Sequence, residues 1–133
     1  MPIYRTSEMP VETDPVAPFT ARSVAGELMK VGLVRYGEGE APPPHFHPNE
    51  EQFIYLLEGK MRMVLGDDMS TVEVGDLVHI PRNERHGILP IEGHVLFFTC
   101  KSPSGDGDLN QDYNLAKDAD EMKRALAEAA EAE

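Results

Sequence analysis

The residues with the most chemistry in them lie together in one stretch, Gly39 to Gly59, reading GEAPPPHFHPNEEQFIYLLEG. His45 and His47 are two positions apart, and in an extended strand that spacing turns both imidazoles to one face. Gln52 and the carboxylates Glu50 and Glu51 follow directly. Imidazoles with oxygen donors beside them suit a divalent transition metal such as Fe, Mn, Ni or Zn. Glu51 is the candidate for moving protons next to such a metal, or for binding it.

The elements around this stretch must hold it extended. Pro42, Pro43 and Pro44 keep the approach to His45 out of a helix. A polar corner at Pro48 to Glu51 leads into a strand, Gln52 to Leu57, which stops at the Glu58-Gly59 turn. Lys60 to Leu65 alternates long polar and apolar residues and ends on a hairpin signal, Gly66-Asp67-Asp68. Thr71 to Val74, Leu77 to Ile80, His86 to Leu89 and Val95 to Cys100 read as further short strands. Val24 to Tyr36 reads as two more, because Gly26 and Gly32 would each cost a helix roughly 1 kcal/mol relative to Ala. Met61 and Met63 share one parity and read as core. Cys100 and Tyr36 are candidates for the interior.

At the ends the pattern changes. Residues 1–23 read as an irregular arm punctuated by Pro2, Pro10, Pro15 and Pro18, with Ile3 and Tyr4 able to add an edge strand. Residues 102–112 form a loop. Leu115, Ala119, Met122 and Leu126 then recur at helical spacing, so a helix begins at Asn114 or Asp118. Asp118 with Glu121 has the form of a capping box. The alanine and glutamate tail from Glu128 to Glu133 is expected to fray. The chain thus divides into an arm (1–23), a barrel (24–101) and a loop with a C-terminal helix (102–133). Many short strands between Gly, Pro and Asp turns predict an all-β sandwich or barrel.

Composition narrows the class of function. With 133 residues, 41% hydrophobic and 27% charged, the chain has the make-up of one globular domain. Its 12 basic and 24 acidic residues give a formal charge of −12. No basic stripe exists to displace counterions from nucleic acid or to sit on an anionic membrane. Cys100 is the single cysteine, so no intramolecular disulfide forms, in keeping with a cytoplasmic protein. No apolar run approaches the roughly 18 residues of a membrane span.

Two spaced motifs carry a resemblance. Gly39, His45, His47 and Gly59 resemble the first motif of the cupin superfamily, and Gly75, Pro81 and His86 resemble the second. The chain departs from the family pattern at three places. Gln52 stands where the family has a glutamate, Asn83 where it has a glycine, and Pro90 where it has an asparagine. Asn83 is tolerable there because Asn reaches positive φ more readily than most residues. The resemblance implies a double-stranded β-helix, the jelly-roll barrel, followed here by the C-terminal helix. It also implies one divalent metal per chain, held by His45, His47, His86 and Gln52, with Glu51 as the alternative fourth ligand. Small cupins with a similar ligand set open or isomerise unsaturated uronate sugars.

Arg82 and Arg85 flank His86 and are candidates for binding an anionic substrate, against a competing role in balancing neighbouring acids. His79 and His94 lie outside both motifs and read as structural. The resemblance leads to a metal-dependent enzyme acting on a small carbonyl-bearing molecule, by isomerase, lyase or cyclase chemistry on a sugar acid or polyketide. A non-haem iron dioxygenase of diketones or phenols is the first alternative, and a non-catalytic binding module the second. Cupins of this size commonly pair, so a homodimer is expected.

Overall fold

A computed structural model describes residues 3–13 and 19–131. Pro2, Pro15, Pro18 and the last residues of the acidic tail lie outside this range. Two antiparallel sheets face each other and share one core. The first contains β1 (Glu12–Thr13), β2 (Phe19–Ala25), β3 (Lys30–Tyr36), β10 (Val95–Ser102), β5 (Glu51–Glu58) and β8 (Leu77–Ile80), in that spatial order. The second runs β11 (Asn114–Leu115), β4 (His45–Phe46), β9 (His86–Pro90), β6 (Lys60–Leu65) and β7 (Asp68–Glu73). This is the jelly-roll architecture the sequence motifs implied.

Period-two alternation builds the interior. In β5, Gln52, Ile54 and Leu56 are buried while Glu51, Phe53, Tyr55 and Leu57 face out. In β10 the inward row is Val95, Phe97, Thr99 and Lys101. Met61 and Met63 on β6 close the core from the opposite sheet. Each fully buried aliphatic side chain contributes roughly 1.5–3 kcal/mol. Phe19, Tyr36 and Phe97 stack edge to face, with centroids 5.2 and 5.3 Å apart. Cys100 takes the opposite parity from the core row and sits half-buried on the outer side, its Sγ 3.8 Å from Met29 Sδ.

Two expectations are corrected here, and of the two helix starts the later one holds. The arm is shorter than the sequence suggested, because β2 starts at Phe19, where Phe19 and Ala21 enter the core and pair along the length of β3. Ile3 and Tyr4 are exposed and form no strand; a 3-10 turn at Thr6–Glu8 precedes β1, which takes the edge. Asn114 belongs to β11, so the helix α1 spans Ala119–Glu131 and follows Asp118. Ala119, Met122 and Leu126 of α1 pack on Val64, Met69 and Leu89, covering the outer face of the second sheet. Asn83 has φ 68, the left-handed conformation that its place in the motif requires, and its N–H donates to His47 O at 2.8 Å.

Candidate metal centre

Register brings the histidines together. His45 on β4 lies directly opposite His86 on β9, and β11 pairs with the other side of β4. His47 leaves the end of β4 and points to the same interior. Ring centroids are 4.5 Å apart for His45 and His86, 4.9 Å for His45 and His47, and 5.1 Å for His47 and His86. One ring nitrogen of each lies within 4.8 Å of the others.

The backbone fixes which nitrogen that is. A carbonyl oxygen only accepts, so each Nδ1 that meets one must carry the proton. His45 Nδ1 donates to Pro43 O at 2.8 Å, His47 Nδ1 to Asp112 O at 2.9 Å and His86 Nδ1 to Glu84 O at 3.0 Å. Three Nε2 lone pairs are left to face one another, the orientation that backbone carbonyls commonly enforce on metal-binding histidines. Burial keeps the rings neutral. It lowers His45 to about 2, with His86 adding to the effect, and His47 to about 3, with Lys101 adding. His86 falls to about 4 for the same first reason.

Gln52, the fourth ligand expected from the sequence, lines the same cavity from the first sheet. Its amide nitrogen donates to Thr99 Oγ1 at 2.8 Å, and that hydroxyl donates onward to Phe53 O at 3.2 Å. The chain of donors sets the amide orientation and leaves Oε1 turned away from Thr99. Gln52 Oε1 and His47 Nε2 are both buried with no hydrogen-bond partner among the described residues. Unpaired buried acceptors of this kind cost a fold about 1–3 kcal/mol each unless something binds them. Three neutral nitrogens and an amide oxygen fit a divalent transition metal. His47 also lies near Glu50 and Asp112, but Lys30 holds Glu50 at 2.5 Å and Asn49 holds Asp112 through its backbone N–H at 2.7 Å.

These residues open onto a cavity of 210 Å³. Beyond the histidines and Gln52 its walls are mainly aromatic and aliphatic, with Tyr36, Ile54, Phe97, Leu109 and Tyr113 prominent. Tyr113 lies 4.5 Å from His45, centroid to centroid, and its hydroxyl donates to Pro43 O at 3.2 Å. Gly32 makes room for the loop that closes the cavity, since a Cβ there would come within 2.7 Å of Leu109 Cδ1.

The other candidates from the sequence lie elsewhere. Glu51 sits on the outer face of β5, where it accepts a hydrogen bond from His79 Nε2 at 2.7 Å. The strand's alternation turns it away from the cavity as firmly as it turns Gln52 inward, so it does not serve the metal centre. Arg85 is held by Asp118 at 3.0 Å and by Asp67, and those carboxylates hold its pKa above the usual value. Arg82 is exposed, and neither arginine lines the cavity. His79 stacks on Phe53 and His94 pairs with Glu58, both on the surface.

Sequence reasoning missed a polar row deeper in the wall. Lys30, Lys101 and Gln52 are neighbours across β3, β10 and β5. Lys30 is fully buried and paired with Glu50, and Lys101 is 4% exposed and lines the cavity. The strand expected from Val95 to Cys100 stops one residue short of Lys101, whereas β10 runs on to Ser102. Continuing the Val95, Phe97, Thr99 parity by one step finds it.

The Cupin domain family model matches residues 32–94. The pectin degradation protein KdgF of Dickeya dadantii (strain 3937) is 30% identical over 81 residues, which are 60% of this chain and 73% of that protein. Quercetin 2,3-dioxygenase of Bacillus subtilis (strain 168) is 31% identical over 61 residues, 46% of this chain but only 18% of the dioxygenase. Among solved structures, the polyketide cyclase RemF from Streptomyces resistomycificus superposes with a TM-score of 0.73 at 26% identity, covering 95% of this chain and 98% of that one.

Proposed function

Since the chain belongs to the cupin superfamily, we propose that it is a metal-dependent, non-redox enzyme that cyclises an aromatic-forming polyketide. The observation that carries this reading is the mixed lining of the cavity. Three histidines and Gln52 line it, and most of the remaining lining is rings and aliphatic side chains. Resemblance to RemF along nearly the whole chain supports the same substrate class.

His45, His47, His86 and Gln52 would hold the metal. Bound there, a divalent ion supplies Lewis acidity toward a carbonyl oxygen. The donors add no negative charge, and the set lacks the carboxylate of the usual iron oxygenase triad. Tyr36, Phe97 and Tyr113 give flat apolar surfaces against which a planar polyketide can stack. Ile54 and Leu109 exclude water from the reacting chain. A sugar acid would leave most of its hydroxyls facing these side chains without partners, which disfavours the uronate reading. The homodimer expected from chain size belongs to the same proposal, and light scattering on the purified chain reads it directly.

The test is turnover of a synthetic poly-β-ketone and of an unsaturated uronate by the zinc-, nickel- or manganese-loaded chain. Ring closure of the ketone, abolished in His45→Ala and His86→Ala together with metal binding, is the expected result. Turnover of the uronate alone would replace this reading with the sugar-acid one.

A further inference from the structure

A lysine ammonium in a dry wall needs a reason. Lys101 Nζ donates to Leu109 O at 2.5 Å, one of the three hydrogens it carries. Beside it Lys30 donates to Glu50 at 2.5 Å and to Asp108 O at 2.6 Å. Lys30 and Glu50 cancel, so Lys101 leaves the buried trio with a net charge of +1. Glu50, Asp108 and Asp112 lie near enough to favour its charge, but each has other partners. Asp112 accepts from Asn49 and Asp108 from the Asn110 N–H, both on the exposed side. No carboxylate lines the cavity, and among the described residues none is hydrogen-bonded to Lys101.

We propose that Lys101 is the anchor for an acidic group on the substrate, a carboxylate or the enolate of a 1,3-diketone, bound beside the metal centre. Three structural facts support it: Lys101 lines the same cavity as the histidines, it neighbours Gln52 directly across the sheet, and its ammonium has hydrogens to give. A buried ammonium bonded to an anion gains a charge-assisted hydrogen bond in a medium where that bond is strong. Burial lowers Lys101 to about 8, opposed by Glu50, so it still carries its proton at neutral pH. An extended poly-β-ketone brings both kinds of acidic group. The inference rests on the reading of this cavity as the substrate site.

The test uses the full chain, freed of metal by a chelator, with 4-fluorobenzoate and its neutral counterpart 4-fluorobenzamide as probes in fluorine NMR. The acid should bind about tenfold or more tightly than the amide, as expected for a charge-assisted contact. Lys101→Met should lose that preference and Lys101→Arg should recover part of it. Displacement of the acid by cyclohexane-1,3-dione, an enolate at neutral pH, extends the assignment to enolates; lack of displacement confines it to carboxylates. Equal binding of acid and amide by the parent chain overturns the proposal, even if Lys101→Met does not fold. So does a folded Lys101→Met that binds the acid as the parent does. His45→Ala should keep the preference for the acid while losing zinc, so failure of the anchor and failure of the metal centre are read separately.

Discussion

Each imidazole of the centre is set by a single backbone carbonyl, and the Gln52 amide by a single hydroxyl. Thr99→Val removes that hydroxyl and lets the amide turn, so zinc affinity should fall about 10- to 100-fold, the usual cost of losing a group that orients a ligand. Thr99→Ser should retain it; an unchanged affinity in the valine variant would remove Gln52 from the ligand set. The histidines also predict an acid response of the metal-free chain. Their folded values of about 2, 3 and 4 lie below the ordinary 6.5. Below pH 6.5 the unfolded chain therefore binds protons that the native chain refuses. Stability is fully present above that pH and declines toward pH 4 by roughly 1.4 kcal/mol per pH unit per histidine. Urea midpoints at pH 7 and pH 5 should show the drop, and His45→Asn should reduce it. The histidines were legible because motif spacing fixes their facing. Glu51 and Gln52 could not be separated without knowing the parity of β5, and one residue of register decides between cavity and solvent.

At the scale of elements, the places of most strands and turns along the chain followed from glycine, proline and aspartate, while two boundaries did not. β2 begins with Phe19 directly after a proline-rich segment, and only its pairing with β3 reveals it as a full strand. β11 is two residues long, too short for any periodicity, yet it borders the strand that carries His45. The helix was found from its apolar stripe, and that stripe packs on the outside of the second sheet, away from the cavity. Leu126 is 3% exposed there. Leu126→Ala should therefore cost about 2–4 kcal/mol of stability and leave zinc affinity unchanged. A large loss of metal binding in that variant would mean that α1 holds the centre together through β9.

For the whole molecule, the jelly roll brings nitrogen and oxygen donors from both sheets to one cavity lined otherwise mainly by aromatic and aliphatic side chains. The proposed metal-assisted ring closure, which needs no oxidant, draws on that combination. Sequence alone gave no access to this balance, since the cavity walls come from strands and a loop far apart in the chain and only their parity makes them neighbours. Lys101 is the clearest instance, a charged residue that ends an otherwise core-forming row. The likeness to a quercetin dioxygenase makes oxygen the decisive reagent. Turnover of the poly-β-ketone should be followed with the metal-loaded chain under argon and in air, with oxygen uptake recorded. Equal rates of cyclised product, with no oxygen consumed, are what a non-redox cyclase predicts. Product formed only in air, with oxygen taken up in proportion, would contradict it and make this chain a dioxygenase.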